Sequence, residues 1–238
     1  MNKDIFIKEC EIIGVDIDDD IFSKLDIYYN FLIESNNKFN LTTITKEEDV
    51  YLKHFYDSIC AYLSGNIKDG IGLCDFGSGA GFPGMVLAIV FPNINVTLVE
   101  SNNKKCGFLH DLKCKLGLTN VNVVCDRVEN FAKSNRNKFD VVICRAVSSI
   151  SIITELGSAL VKLNGNMVFL KSSYEEELEL SMDIIEKTGF TLNKTIEFVL
   201  PDFISKRSII TLIKINETPL MYPRSYSTIV KMNRKKLK

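Results

Sequence analysis

The sequence predicts an α/β fold: a Rossmann-like, seven-stranded and mostly parallel sheet that finishes on an antiparallel C-terminal hairpin, preceded by an N-terminal helical element. Three observations carry this. From Ile71 onward, strand-like apolar runs alternate with segments of helix length, the pattern that builds a parallel sheet. Two of those runs, Val141–Cys144 and Met167–Leu170, are apolar throughout, as strands covered on both faces are. The last two strands are joined by a short connection containing Pro201, too short for a crossover helix.

The N-terminal element spans residues 1–66. Ile5, Cys10, Ile12 and Ile13, then Phe22, Leu25, Tyr28, Phe31 and Leu32, recur at helical spacing. Asp18–Asp20 are placed to cap and start a second helix. Asn40–Thr45 is a polar loop, and Lys46–Leu63 is helical again, with Thr45 and Glu48 spaced as a capping box. Ser64–Gly70 is a turn.

Residues 67–238 form the second domain. Strands are expected at 71–76, 95–100, 121–125, 139–144, 166–170, roughly 190–199 and 207–215. Helices are expected at about 84–91, 103–116, 126–134, 150–162 and 174–188. Gly117 and Gly189 stand where helices should stop.

Composition is that of a soluble globular chain: 238 residues, 46% hydrophobic and 25% charged. No apolar run approaches membrane-helix length, and the N-terminus reads as carrying no signal peptide, so a cytoplasmic protein with no membrane partner is expected. The seven cysteines include no CxxC pair and read as reduced thiols. With only His54 and His110 available, no metal is expected. Net charge is −1, yet the end of the chain gathers Arg224, Lys231, Arg234, Lys235, Lys236 and Lys238 without an acid. Such a tail either meets a polyanion or is simply a solvated terminus.

The chemistry starts in the turn after the first strand, Cys74–Gly84, CDFGSGAGFPG. Gly77, Gly79 and Gly81 permit positive φ and close approach of a ligand. Gly79–Gly84 satisfies G-x-G-x-x-G, a weak signal for a dinucleotide. Asp75 would repel a pyrophosphate, Phe82 and Pro83 add bulk where the backbone must hug one, and no Lys or Arg compensates. S-adenosylmethionine has no phosphate. Asp75 suits its ammonium, the loop N–H groups its carboxylate, and Glu100, closing the second strand, its ribose diol. The plain alternatives are a turn cap for Asp75 and a solvated strand end for Glu100. The hairpin-closed sheet fits the plan of the Rossmann-like class I methyltransferases better than a plain dinucleotide fold.

Two later strand ends add candidates. Asp126-Arg127-Val128-Glu129 follows the third strand and could meet the adenine, or merely start a helix. Arg145 follows the fourth and could hold a carboxylate or a substrate base, or simply pair with Asp126 or Glu129.

The blocks Phe39–Ile44 (FNLTTI), His54–Ser58 (HFYDS), Asp75–Gly84, Glu100 with Lys104 and Phe108-Leu109, Arg127–Glu129, Phe139–Val147 and Tyr222–Arg224 resemble the RsmG/GidB family of bacterial methyltransferases over nearly the whole chain. The resemblance implies S-adenosylmethionine as methyl donor, leaving S-adenosylhomocysteine. It implies guanine N7 of 16S rRNA as acceptor, in the 530 loop at rRNA position 527. The small ribosomal subunit is the implied partner of a monomeric enzyme. Carried over by position, donor contacts fall on Gly77, Phe82, Val128, Glu129 and Arg145, beside Asp75, Gly79 and Glu100 from the loop reading. Substrate RNA contacts are expected at Asn40, His54, Asp57, Lys171, Arg207 and Arg224. For His54 and Asp57, one helical turn apart, a buried capping network is the alternative; for Lys171 and Arg207 it is surface charge. After Tyr222–Arg224 the chain departs from the family pattern, with Tyr226 and Ser227-Thr228 in place of its turn residues.

Guanine N7 carries a free lone pair, so no general base is required and no catalytic residue is assigned; Arg145 is a candidate positioning residue. A methyltransferase acting on another RNA, an NAD-dependent oxidoreductase and a non-catalytic RNA-binding module are the competing readings.

Overall fold

The structure, a computed structural model, describes residues 1–145 and 148–236. Ala146 and Val147, which end one of the motif blocks, and the basic side chains of Arg234, Lys235, Lys236 and Lys238 lie outside what is described.

The N-terminal element opens with α1 (Lys3–Ile12) and α2 (Asp19–Asn36). Asn2 caps α1 by accepting from the Ile5 N–H, and Asp18 caps α2 by accepting from the Ile21 N–H at 2.7 Å. A continuous helical run follows: α3 (Glu47–Val50), a π-helical segment (Tyr51–Tyr56), α4 (Asp57–Ile59) and a 3-10 turn (Cys60–Ser64). The expected Thr45–Glu48 capping box does not form. Lys46 is the N-cap and makes no side-chain capping bond. Three acids in the first turn, Glu47, Glu48 and Asp49, favour the positive helix end instead.

The second part alternates β1 (Gly72–Phe76), α5 (Gly84–Val90), β2 (Asn95–Glu100), α6 (Asn103–Lys115), β3 (Val121–Cys125), α7 (Val128–Ser134), β4 (Phe139–Arg145), α8 (Ile150–Gly157), β5 (Val161–Lys171) and α9 (Glu175–Lys187). The hairpin β6 (Phe190–Val199) and β7 (Lys206–Lys214) and a last helix, α10 (Tyr226–Lys236), complete it. The seven strands lie in the order β3-β2-β1-β4-β5-β7-β6. β1 to β5 are parallel, whereas β7 runs antiparallel to both β5 and β6. Strand order reverses between β1 and β4, the switch point where open α/β sheets bind ligands.

Two elements differ from expectation. The helix expected over 150–162 runs as α8 to Gly157 and tightens into a 3-10 turn over Ser158–Leu160, with β5 starting already at Val161; a Cβ at Gly157 would fall 2.7 Å from both Met167 and Phe76. Helix α10 carried no strong sequence signal. Gly189 stops α9 as expected: its φ is +90°, and a Cβ there would meet the Asn216 carbonyl oxygen at 2.2 Å.

The helical element and one face of the sheet share a single apolar core, in which Phe6, Tyr28, Leu32 and Phe55 pack with Met85, Leu98, Ile143 and Ile209. Burying each such side chain contributes about 1.5–3 kcal/mol. The opposite face is covered by α8 and α10 through Ile150, Ile153 and Ile229. Among the described residues no helix is long and apolar enough to cross a membrane. The expectation of thiols alone needs one correction: Cys106 and Cys125 form a disulfide, Cα to Cα 5.8 Å. Cys106, in the first turns of α6, meets Cys125, at the end of β3, because β2, which leads into α6, pairs Glu100 with Cys125.

Candidate active site

Every strand from β1 to β5 delivers its C-terminal end to one edge of the sheet, and the candidate residues collect there. In β1, Asp75 is fully buried. Its Oδ2 accepts the Gly84 N–H at 2.8 Å, while Oδ1 is buried with no partner. Burial pushes this carboxyl up to about 7, against the opposing pull of the Gly84 hydrogen bond and of Arg145. A side chain at Gly84 would sit 2.8 Å from Asp75 and 2.5 Å from Leu98, so only glycine lets helix α5 come this close.

The loop is held from both sides. The Tyr28 hydroxyl, from α2, donates to the Ala80 carbonyl at 2.5 Å. Glu100 accepts the Gly79 N–H through Oε2 at 2.9 Å and the Asn102 N–H through Oε1 at 2.8 Å. Glu100 is therefore a brace as well as the acid expected at the ribose, its remaining lone pairs being free for hydroxyl donors. Five of the loop N–H groups already have partners within the protein: those of Gly77, Gly79, Gly81, Phe82 and Gly84 bond to Val99, Glu100, Ser78 (twice) and Asp75 in turn.

A cavity of about 280 Å³ opens beside this loop. Gly77, Asp126, Val128 and Glu129 line it with Leu156 and Tyr226. Three sequence candidates, Gly77, Val128 and Glu129, thus face one space. Arg127 donates to Glu129 at 2.9 Å, so the acid's partner comes from its own turn and not from Arg145.

Arg145 reaches across the switch point to the helical element. Its Nη1 donates to the Lys53 carbonyl at 3.1 Å and to Asp57 Oδ2 at 3.2 Å, and its Nη2 donates to His54 Nδ1 at 3.1 Å. Asp57 Oδ1 accepts from Arg207 Nε at 3.0 Å. His54 Nε2 meets the Thr42 hydroxyl at 2.9 Å, which leaves the imidazole neutral with its proton on Nε2. Burial, then the Arg145 charge, pull His54 down to about 3. Phe82 lies between the two groups of residues: its ring stacks on His54 at 4.4 Å and on Tyr28 at 5.3 Å, with the Arg145 guanidinium 5.1 Å from its centre. The π-helical segment carries Lys53 and His54, and its wider turn is a common device at functional sites.

His54, Asp57, Arg145, Lys171 and Arg207, all foreseen, line one further cavity with Lys53. Lys171 is not surface charge. It is nearly buried, donating to the Ser148 carbonyl at 2.8 Å and to Glu177 at 2.7 Å. Two candidates lie elsewhere. Asn40 is exposed in its loop, where the ordering is done by Asn36, which accepts from the Leu41 and Thr42 N–H groups. Arg224 is the other: its guanidinium makes a two-pronged pair with buried Glu155, at 2.6 and 2.5 Å, which ties the tail to α8. Tyr28, Thr42 and Tyr226 were missed. Tyr28 sits at helical spacing that announces only a core residue, and nothing in the sequence around Tyr226 places it on the cavity.

Sheet order, hairpin and strand-end acids define a class I methyltransferase fold. Solved methyltransferases share it at low identity: one described as SAM-dependent from Aquifex aeolicus (TM-score 0.52, 17% identity, 76% of this chain and 98% of that one) and M. jannaschii TYW2 in complex with AdoMet (TM-score 0.52, 16% identity, 64% and 72%). The family model GidB, rRNA small subunit methyltransferase G, matches residues 21–210, and the chain belongs to that family. Proteins named ribosomal RNA small subunit methyltransferase G are 42% identical over 217 residues in Staphylococcus saprophyticus (90% of this chain, 91% of that one) and 45% over 203 residues in Staphylococcus aureus (84% and 85%).

Proposed function

We propose that this chain methylates small-subunit ribosomal RNA with S-adenosylmethionine as donor, and that the acceptor is guanine N7 in the 530 loop of 16S rRNA. The observation that carries the donor is Asp75 Oδ1, a buried carboxylate oxygen without a partner beside the glycine turn. Leaving such an atom unmet costs about 1–3 kcal/mol, and a ligand ammonium satisfies it. Glu100 has lone pairs for a ribose diol, and the cavity at Gly77, Val128 and Glu129 suits an adenosine. When bound, the donor supplies an electrophilic sulfonium methyl. The protein's own work is to hold and to orient, since the guanine N7 lone pair needs no base.

The Arg145 cluster supports the acceptor reading. Arg145 and Arg207 are fixed by Asp57, so their remaining N–H groups are aimed in advance at a carbonyl such as guanine O6 or at phosphates. Neutral His54, backed by the ring of Phe82, gives the cavity a flat wall. Folded rRNA must present this base unstacked or in a loop. Titration calorimetry checks the donor: S-adenosylhomocysteine should bind and NAD should not, and NAD binding alone would end the reading.

A further inference from the structure

The turn joining β6 to β7 exposes large apolar side chains. Phe203 is 91% exposed and Ile204 82%, with Val199 half-exposed beside them. The turn is rigid. Phe203 N donates to the Leu200 carbonyl and Leu200 N to the Ser205 carbonyl, both at 2.9 Å. Asp202 accepts from the N–H groups of Ile204 and Ser205 and from the Ser205 hydroxyl. Phe203 itself sits at φ +58°, a conformation glycine or asparagine would hold more cheaply than an aromatic residue. Thus an ordered turn presents an aromatic ring to solvent at a position that favours other residues.

Its place in the fold gives the ring a purpose. Lys171, at the C-terminal end of β5, pairs with Ser208, and Val199 pairs with Lys206. The turn therefore projects from the sheet edge that carries Asp75, Glu100 and Arg145. Arg207, one residue into β7, lines the cavity of the Arg145 cluster, and Lys53 from the same cavity lies within electrostatic reach of Asp202. The same edge carries Lys53, Lys206 and Arg207 together with the acids Asp202, Glu175 and Glu197, so it is the exposed ring itself that fits a single-stranded RNA contact, in which bases stack on an aromatic face.

We propose that Phe203, with Ile204, is a stacking platform for an unpaired nucleotide of the RNA substrate next to the target base. This rests on the reading of small-subunit rRNA as substrate. The turn's place beside the cavity of the Arg145 cluster, where the rRNA substrate is read to dock, favours RNA over an apolar protein surface.

The chain has no tryptophan, so Phe203→Trp installs a single fluorescent reporter. With deproteinised small-subunit rRNA its emission should be quenched, and Phe203→Ala should weaken binding of fluorescently labelled rRNA roughly tenfold, the scale of one base–aromatic stack. Both variants should bind S-adenosylhomocysteine as the unaltered chain does. If the unaltered chain binds rRNA while Phe203→Ala matches it and the indole is not quenched, the platform is overturned and the function stands. If the emission shifts to the blue only with small-subunit proteins, the turn docks on protein and the RNA contact is overturned. If the unaltered chain binds neither rRNA nor intact subunits, the proposed function fails together with the platform.

Discussion

Asp57 and Arg145 join the helical element to the sheet: Asp57 Oδ2 accepts from Arg145 Nη1 at 3.2 Å, with both side chains almost entirely buried. Since Asp57 also holds Arg207, one carboxylate orders two cations from two strands. Removing it strands those charges. Asp57→Ala should cost about 3–5 kcal/mol of stability, read from urea unfolding. Charge-neutral Arg145→Met should cost less if its stem still packs on Phe82. Methylation of rRNA should fall at least a hundredfold in either, because the cavity loses its ordered donors.

His54 and Asp75 give stability opposite pH dependences. His54 is held near 3, below its ordinary 6.5, so the unfolded chain takes up the proton first and stability falls as pH drops through 6.5 toward 3. Asp75 is held near 7, above its ordinary 3.8, so ionising it costs stability as pH rises from about 4 to 7. Urea midpoints measured between pH 4.5 and 7.5 should separate the two. His54→Gln should lose the acid-side decline, and Asp75→Asn should be more stable than the unaltered chain at pH 7.5.

On the proposed donor reading, the Asp75 titration also governs binding. An ammonium binds the ionised carboxylate, so affinity for S-adenosylhomocysteine should weaken toward tenfold per pH unit below 7. Binding at pH 6.5 should then release a proton, seen as a buffer-dependent enthalpy in calorimetry. Asp75→Asn should bind weakly at every pH and release none.

Gly77 has φ +68° and faces the cavity. Gly77→Arg should abolish methylation by filling that space, and Glu100→Ala should abolish it by freeing the loop and removing the ribose acceptor. Circular dichroism should show both variants folded, and calorimetry should show neither binding the donor product.

Cys106 and Cys125 close a loop of sequence separation 19. Reduction, or Cys125→Ser, should lower stability by about 3 kcal/mol in the chain-entropy picture. Unfolding with and without dithiothreitol measures it.

The sheet was legible because a parallel strand advertises itself: Val141–Cys144 and Met167–Leu170 are apolar on both faces and lie within β4 and β5. The places of Asp75, Gly77 and Glu100 at strand ends beside one turn were legible because a strand–turn–helix sets fixed offsets. What could not be read was set by contacts across the fold. Nothing near Arg224 says that Glu155 waits for it, and nothing in Thr42 says that its hydroxyl will meet His54. The need for glycine at position 157 comes from Phe76 and Met167, on two other strands, which leave no room for a Cβ there. The tail helix depends on Ile229 finding a core whose other members lie far away in sequence.

The most direct test maps N7-methylguanosine in 16S rRNA from cells with and without this protein. The proposal predicts one N7-methylated guanine in the 530 loop, present with the protein, absent without it, and restored by the unaltered chain but not by Gly77→Arg. An unchanged map in cells lacking the protein would contradict it.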